Sequence, residues 1–368
     1  MRRNPQAANR PGRNLVVQIR SNSPLRNPPP DYCPAAAVRW FTVKNGYDKG
    51  KTLFYYDHVT GPGDPVETVL LVHGNPECSY TYRHIRDRLQ SSDHTLRIIA
   101  LDHIGFGLSD QADYEMVDMH HAANLIQLVR HLDLTDLSLV VHDWGGPIGI
   151  GALLEEHWRV AKLTILNTTV FPMPAAGMTY SNYPVSWFPW ASTPKLIPDA
   201  LWGGVAAYVV SHAEPQSTPA FLANTSRYLM KHALHQIPPG TAEHVWSEPL
   251  RSRQNAKSSK RNVLQTPVWG HGYRYHDPRH GEQDNHDFYE SIQTNLSKHW
   301  GPAGRNIPVG GFFGQWDPCG KNEVIAQWHQ ALPLMKSATH VFPECGHFIE
   351  EAKGPEIADA LLRMVGNP

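Results

Sequence analysis

Short apolar runs and polar loops alternate along this chain with a regular beat. Val69-Leu-Leu-Val72, Arg97-Ile-Ile-Ala-Leu101, Leu137-Ser-Leu-Val-Val141, Ala161-Lys-Leu-Thr-Ile-Leu166 and Val309-Gly-Gly-Phe-Phe313 are almost unbroken apolar segments. That is the pattern of strands buried on both faces of a parallel sheet. Between them the spacing turns helical. Tyr82, Ile85 and Leu89 follow a start near Ser79, and further helices are predicted over about 117–132, 148–154, 287–300, 323–332 and 355–365. Arg39-Trp-Phe-Thr-Val43 and Thr52-Leu-Phe-Tyr-Tyr56 alternate on either side of Gly46, which predicts an antiparallel start to the sheet. Ala338-Thr-His-Val-Phe342 is the last strand. Strand and helix in alternation predict an α/β fold, a mostly parallel central sheet with helices on both faces.

The beat is lost in two places. From Pro172 to about Leu250 strands vanish and Trp187, Trp190, Trp202 and Trp246 accumulate with Phe188, Phe221 and Tyr208. A helical cap over residues 172–250, inserted above the sheet edge, accounts for both changes, because ligand pockets are lined mainly by apolar and aromatic groups. The core is then 36–171 and 251–368, with Arg251 to Arg261 as a solvated connector. Residues 1–35 carry Arg2, Arg3, Arg10, Arg13, Arg20 and Arg26, a Pro28-Pro29-Pro30 run, and no acid before Asp31. They are expected to form a flexible basic tail.

Composition narrows the function. In 368 residues, 33 Lys plus Arg nearly balance 34 Asp plus Glu, so overall charge gives no argument for nucleic acid. Cys33, Cys78, Cys319 and Cys345 show neither metal-type spacing nor a disulfide framework, which points to a reducing, cytoplasmic setting. No run approaches the roughly 18 consecutive apolar residues of a membrane helix. His271, His276, His280 and His286 crowd one segment with Asp277, Glu282 and Asp284, but glycines and Pro278 interrupt it and no pair sits on a regular helix. No metal and no cofactor are expected.

One stretch concentrates the chemistry. The strand ending at Val141 runs through His142-Asp143-Trp144-Gly145-Gly146 directly into a small-residue helix. This is where a sharp strand-to-helix turn lifts one side chain over the carboxyl edge of a sheet. Here the apex side chain is the carboxylate of Asp143. It is ionised at neutral pH and needs no base before attacking a saturated carbon, and the ester it forms keeps a carbonyl that water attacks later. The bland alternative, a helix N-cap, does not explain the flanking His142, Trp144 and paired glycines. Later in the chain come Asp317, on the loop after the penultimate strand, and His347, on the loop after the last. The order is nucleophile, acid, histidine.

His73-Gly-Asn-Pro76, Asp102-His-Ile-Gly-Phe-Gly-Leu-Ser-Asp110, Val141-His-Asp-Trp-Gly-Gly-Pro-Ile-Gly149 and Gly346-His-Phe348 together resemble the haloalkane dehalogenases of the α/β-hydrolase superfamily. The resemblance covers about residues 40–368 and is weakest in the cap. It implies Asp143 as nucleophile, His347 as base, Asn75 and Trp144 as halide-stabilising side chains, and their backbone N–H groups as an oxyanion site. The family places its acid after either of two strands. Leu166-Asn-Thr-Thr-Val-Phe-Pro172 has no carboxylate, so the acid is Asp317, as in the subgroup that pairs this acid with Asn and Trp. The expected partners are a small apolar halogenated substrate, water and halide, with no nucleic acid or membrane, and a homo-oligomer is compatible with the family. Two alternatives stay open. Epoxide hydrolases share the Asp nucleophile but take tyrosine O–H donors from the cap, with Tyr180, Tyr183, Tyr208 and Tyr228 as candidates. The other is a non-catalytic binder of small apolar ligands on the same fold.

Overall fold

The computed structural model describes residues 20, 22–212 and 214–365. The strands are β1 (Val38–Thr42), β2 (Thr52–Val59), β3 (Glu67–Val72), β4 (Leu96–Leu101), β5 (Leu137–His142) and β6 (Val160–Leu166). Two short pairs follow, β7 (Pro184–Val185) with β8 (Phe188–Pro189) and β9 (Arg274–Asp277) with β10 (Gly281–Asp284), before β11 (Val309–Gly314) and β12 (Thr339–Phe342). Eight of these form one sheet in the order β1-β2-β4-β3-β5-β6-β11-β12. The β1–β2 and β2–β4 pairs are antiparallel, and the other five are parallel. The chain builds outward from β3 first toward β4 and then toward β5. The crevice at the carboxyl ends of β3 and β5 is therefore the point where the strand order reverses, a preferred place for ligands in such sheets.

Side chains of the central strands separate by parity. Leu70, Val72, Leu139, Val141 and Ile165 join the core on one face, and Val69, Leu71, Val140 and Leu166 join the core on the other. All are fully or almost fully buried, and each such side chain stabilises the fold by about 1.5–3 kcal/mol relative to exposure. This two-sided burial is why the strands read as continuous apolar runs.

Three expectations change. The stretch from Arg251 to Arg261 is no solvated connector. Residues Arg253–Leu264 form a helix capped by the Ser252 side chain, and its buried face is made of small polar groups. The Asn255 Oδ1 accepts the Ala112 N–H at 2.9 Å and the Ser258 Oγ accepts that of Met116 at 3.0 Å. A hydropathy pattern does not register a face that packs through hydrogen bonds. The last helix starts at Ile349 rather than Pro355, with non-helical backbone at Lys353. Pro355 thus falls in the first turn of the second segment, where a missing N–H costs nothing. Finally, Leu25, Tyr32 and Cys33, within the span expected to be a flexible tail, are buried. Tyr32 donates to the buried Asp102 Oδ2 at 2.7 Å, and Arg86 donates to the carbonyls of Asp31 and Tyr32. Buried apolar side chains, the Tyr32 hydroxyl and the two Arg86 hydrogen bonds together anchor an otherwise polar strap. Residues 1–19 lie outside the described residues.

No helix among the described residues is long and apolar enough to cross a membrane.

Candidate active site

Asp143 leaves β5 with φ of 50° and is followed at once by the helix Gly145–Leu153. A non-glycine residue in the left-handed region is uncommon and costs of order 1–3 kcal/mol unless its surroundings hold it. Here they do. The Asp143 carbonyl accepts the Thr168 hydroxyl at 2.5 Å and the Gly146 N–H at 3.0 Å. A Cβ at Gly145 would lie 2.1 Å from the Val72 carbonyl oxygen, so only glycine lets the helix start close against β3. A Cβ at Gly74 would lie 2.4 Å from Asp143 Oδ2 and 2.7 Å from the Trp144 nitrogen. The β3 loop, the carboxylate and the Trp144 amide thus share one small space. Within it the Asn75 N–H donates to Asp143 Oδ2 at 2.7 Å.

The second oxygen faces the histidine. His347 Nε2 lies 3.1 Å from Asp143 Oδ1, and its Nδ1 lies 2.9 Å from Asp317 Oδ2. Asp317 is fully buried. Its other oxygen accepts the Tyr180 hydroxyl at 2.9 Å. Burial alone lowers an imidazole's affinity for a proton, but the carboxylates of Asp317 and Asp143 on either side outweigh it and hold His347 well above the usual histidine range.

Asn75 and Trp144 complete the group. The Asn75 side chain is buried, and both its amide nitrogen and oxygen lack a protein partner. Buried amides are almost always satisfied, so an unpaired one facing a pocket is a group waiting for a ligand. The Trp144 ring is stacked on Trp269 at 3.9 Å between centroids, and Trp269 is pinned through its indole N–H to the Thr169 carbonyl at 2.9 Å. The stack fixes the plane of Trp144. Asn75, Asp143, Trp144 and His347 line one pocket of about 890 Å³ of atom-free space, mouth included, roofed by Tyr183, Phe188, Val205 and Tyr208. All five residues singled out from sequence meet here, four at the pocket wall and Asp317 behind His347.

Sequence reasoning missed three supports. Asn167, where β6 ends, donates through its side-chain amide to the carbonyls of Gly346 and His347 at 2.8 and 3.1 Å, and its Oδ1 accepts the Gly314 N–H at 2.8 Å. It ties β6 to β11 and the histidine loop. Its signal was present, a lone polar residue closing an apolar strand. Tyr180 holds Asp317, a pairing across 137 positions that no local pattern reveals. The third is a buried group, Glu77, His142 and Glu350, under the same loops. The histidine-rich segment disperses instead. His276 pairs with Glu282, His286 with Asp284, and His280 stacks on Tyr47. Of the cap tyrosines, the Tyr180 hydroxyl is engaged with Asp317 and that of Tyr208 with Gln216.

Residues 67–351 match the family described as the α/β-hydrolase fold. Two curated relatives are cis-3-alkyl-4-alkyloxetan-2-one decarboxylases. That of Xanthomonas campestris is 41% identical over 134 residues, 34% of this chain and 43% of the relative. In that alignment the chain spans less than half the relative's length. That of Shewanella oneidensis is 27% identical over 325 residues, 87% of this chain and 85% of the relative. Haloalkane dehalogenase 1 of Mycobacterium tuberculosis is 30% identical over 301 residues, 80% of this chain and 82% of the relative. Among solved structures, the tetrameric haloalkane dehalogenase of Paraglaciecola agarilytica superposes with a TM-score of 0.58 at 19% identity, covering 95% of this chain and 96% of that one, which speaks for the fold. The chain belongs to the α/β-hydrolase family and is a homologue of the haloalkane dehalogenases.

Proposed function

We propose that this protein hydrolyses carbon–halogen bonds through an ester on Asp143. The observation that carries the reading is the pairing of an elbow carboxylate with an unpartnered buried amide. Asp143 Oδ2 is held by the Asn75 N–H while the Asn75 side chain has no protein partner. In the first step Asp143 attacks a saturated carbon, the C–O bond forms, and halide leaves with the bonding pair. The Asn75 amide and Trp144 indole N–H groups stabilise the departing anion in a site that excludes water. In the second step water attacks the ester carbonyl and gives its proton to His347. The oxyanion that forms is received by the backbone N–H groups of Asn75 and Trp144. Alcohol, halide and one proton are released.

The charge on Asp143 sets the order of events. Before reaction its carboxylate helps to hold a proton on His347. Esterification removes that charge, so the imidazole loses proton affinity when a base is needed. Asp317, steadied by Tyr180, keeps the ring oriented and balances the imidazolium formed during hydrolysis. In this reading residues 172–250 are a cap that closes the pocket, and the substrate is small and apolar.

A second reading is favoured by the near full-length alignment with the Shewanella relative. Attack of Asp143 on the saturated C–O carbon of an oxetan-2-one opens the ring to a carboxylate, an anion for the same Asn75 and Trp144 donors. Loss of carbon dioxide then moves the freed pair into a C=C bond and expels Asp143. The test is direct: supply a 1-bromoalkane and, separately, a cis-3,4-dialkyloxetan-2-one. Bromide and alcohol in equal amounts support the dehalogenase. Alkene and carbon dioxide without bromide release move the assignment to the second reading, and no product from either overturns both.

A further inference from the structure

Beneath the site, and unused by the chemistry above, lies a fully buried group of three ionisable side chains. Glu77 Oε1 accepts the Gly74 N–H at 2.7 Å and lies 2.6 Å from His142 Nδ1. His142 Nε2 lies 2.9 Å from the His347 carbonyl oxygen and 3.3 Å from Glu350 Oε2. Glu350 Oε1 accepts the Thr81 hydroxyl at 2.6 Å. The remaining oxygens, Glu77 Oε2 and Glu350 Oε2, have no hydrogen-bond partner. The three side chains are 0% exposed.

This geometry assigns protons. A carbonyl oxygen only accepts, so His142 Nε2 carries a hydrogen. With Glu77 as a carboxylate, Oε1 accepts both the Gly74 amide and the Nδ1 hydrogen, and the ring donates at both nitrogens. His142 is thereby an imidazolium. One cation between two carboxylates leaves a net negative charge in a dry core, and the group is neutral when Glu350 keeps its proton. One ligand atom from each side chain lies within 4.8 Å of the others, but His142 turns a different nitrogen to each glutamate, so in this arrangement its ring hydrogens rather than a cation fill those contacts.

We propose that Glu77, His142 and Glu350 are positioning residues: the imidazolium of His142 grips the Glu77-bound β3 loop and the His347 carbonyl together, and ionisation of Glu350 weakens that grip, leaving Asn167 as the remaining donor to the His347 carbonyl. Glu350 sits beside the Nε2–H that serves the His347 carbonyl. As a carboxylate it competes for that hydrogen, and the histidine loop loses a donor. Burial, then the nearby Glu77 charge, push the Glu350 carboxyl up to about 8 although His142 pulls the other way. Burial disfavours the His142 cation, but Glu350, once ionised, and Glu77 lift it to about 9. The cluster therefore keeps its protons to higher pH than the free side chains do, and sheds one as pH rises.

Other ionisable groups also face this cluster. His73, from the β3 loop, is held well below the usual range by burial. Tyr82, on the short helix packed against the last one, donates to the Val72 carbonyl and is held well above its usual range. Farther out, Arg83 pairs with Glu351, His84 lies 3.8 Å from that same carboxylate and is lowered by burial, and Lys353 pairs with Glu344. His347 lies above, held well above the usual histidine range by Asp317 and Asp143, and its loop is the one the cluster holds.

The inference rests on the roles proposed for His347 and Asp143, so one arm of its test needs no turnover. In the whole protein labelled with ¹⁵N-histidine, one buried ring assigned to His142 through its shift change in Glu350→Gln is expected to show two N–H signals at pH 7.5. A single N–H at that pH overturns the proposal whatever the substrate. The second arm is the pH profile of ester hydrolysis. In the wild type it is expected to fall about 2- to 10-fold between pH 7 and 9, the weight of one net hydrogen bond, with bromide release in the first step unchanged. Glu350→Gln is expected to match the wild type at pH 7 and lose the fall. A variant that keeps the same fall shows Glu350 to be structural only and overturns the switch.

Discussion

The backbone amide of Asn75 donates to Oδ2 of Asp143 at 2.7 Å. The two oxygens of the nucleophile are thereby unlike. In the proposed reaction Oδ2 takes the oxyanion position, and Oδ1, 3.1 Å from His347 Nε2, is the atom that attacks. In the proposed reaction Asn75 serves twice, through its backbone amide on Asp143 and through its unpartnered side chain on the leaving group.

That division predicts a selective loss. Asn75→Ala keeps the backbone N–H and removes only the carboxamide, and Trp144→Phe removes only the indole N–H. Each is expected to slow carbon–halogen cleavage about 100- to 1000-fold, the usual cost of one preorganised donor, while hydrolysis of ester already formed changes little. Rapid-quench bromide bursts separate the steps. Equal losses in both steps, or in neither, contradict the assignment.

Tyr180 and Asp317 are predicted to act only on the second step. Asp317→Asn leaves His347 unsupported and is expected to reduce ester hydrolysis by about 10⁴-fold, the effect of removing a triad acid's charge. Tyr180→Phe removes one hydrogen bond to a charged group, worth about 1.5–3 kcal/mol, or roughly 10- to 100-fold. Single-turnover decay of the alkyl-enzyme measures both. Glu344 does not substitute for Asp317, because it is exposed and paired with Lys353. Normal decay in Asp317→Asn would move the acid elsewhere.

Stability carries its own pH signature. Glu350 is raised in the fold from an ordinary value of 4.5 to about 8, and His142 from 6.5 to about 9. Both groups hold protons in the fold that the unfolded chain releases, so stability falls as pH rises. The Glu350 part declines from about 4.5 to 8. The His142 part is fully present below 6.5 and is lost through 9. Thermal denaturation of Glu350→Gln is therefore predicted to show a shallower decline than the wild type between pH 6 and 9, with the higher Tm at pH 8.5. Parallel curves refute it.

How much of this was legible beforehand follows from where the information lies. The strands of the parallel sheet are apolar because both faces are covered, so Val69–Val72 and Leu137–Val141 announce themselves. Asp143 was legible because a turn that pushes one side chain outward requires glycines behind it, and Gly145 and Gly146 follow directly. Asp317 and His347 were legible as strand-end residues in the expected order. Helix Arg253–Leu264 was not, because Asn255, Ser258 and Asn262 bury themselves through hydrogen bonds. Leu25 and Tyr32 were hidden among arginines and prolines. Tyr180 and Glu350 act across more than a hundred positions, and neither side chain differs in sequence from an ordinary cap tyrosine or helix-terminal glutamate.

The central claim is that Asp143 becomes an alkyl ester and that His347 is needed to remove it. His347→Phe, treated with a 1-bromoalkane, is expected to release about one bromide per subunit and then stop, since the displacement is intact and the base is gone. Intact-mass analysis should show one added alkyl group, mapped by peptide digestion to Asp143. A folded variant that gains no alkyl group, or that carries it on any residue other than Asp143, contradicts the account.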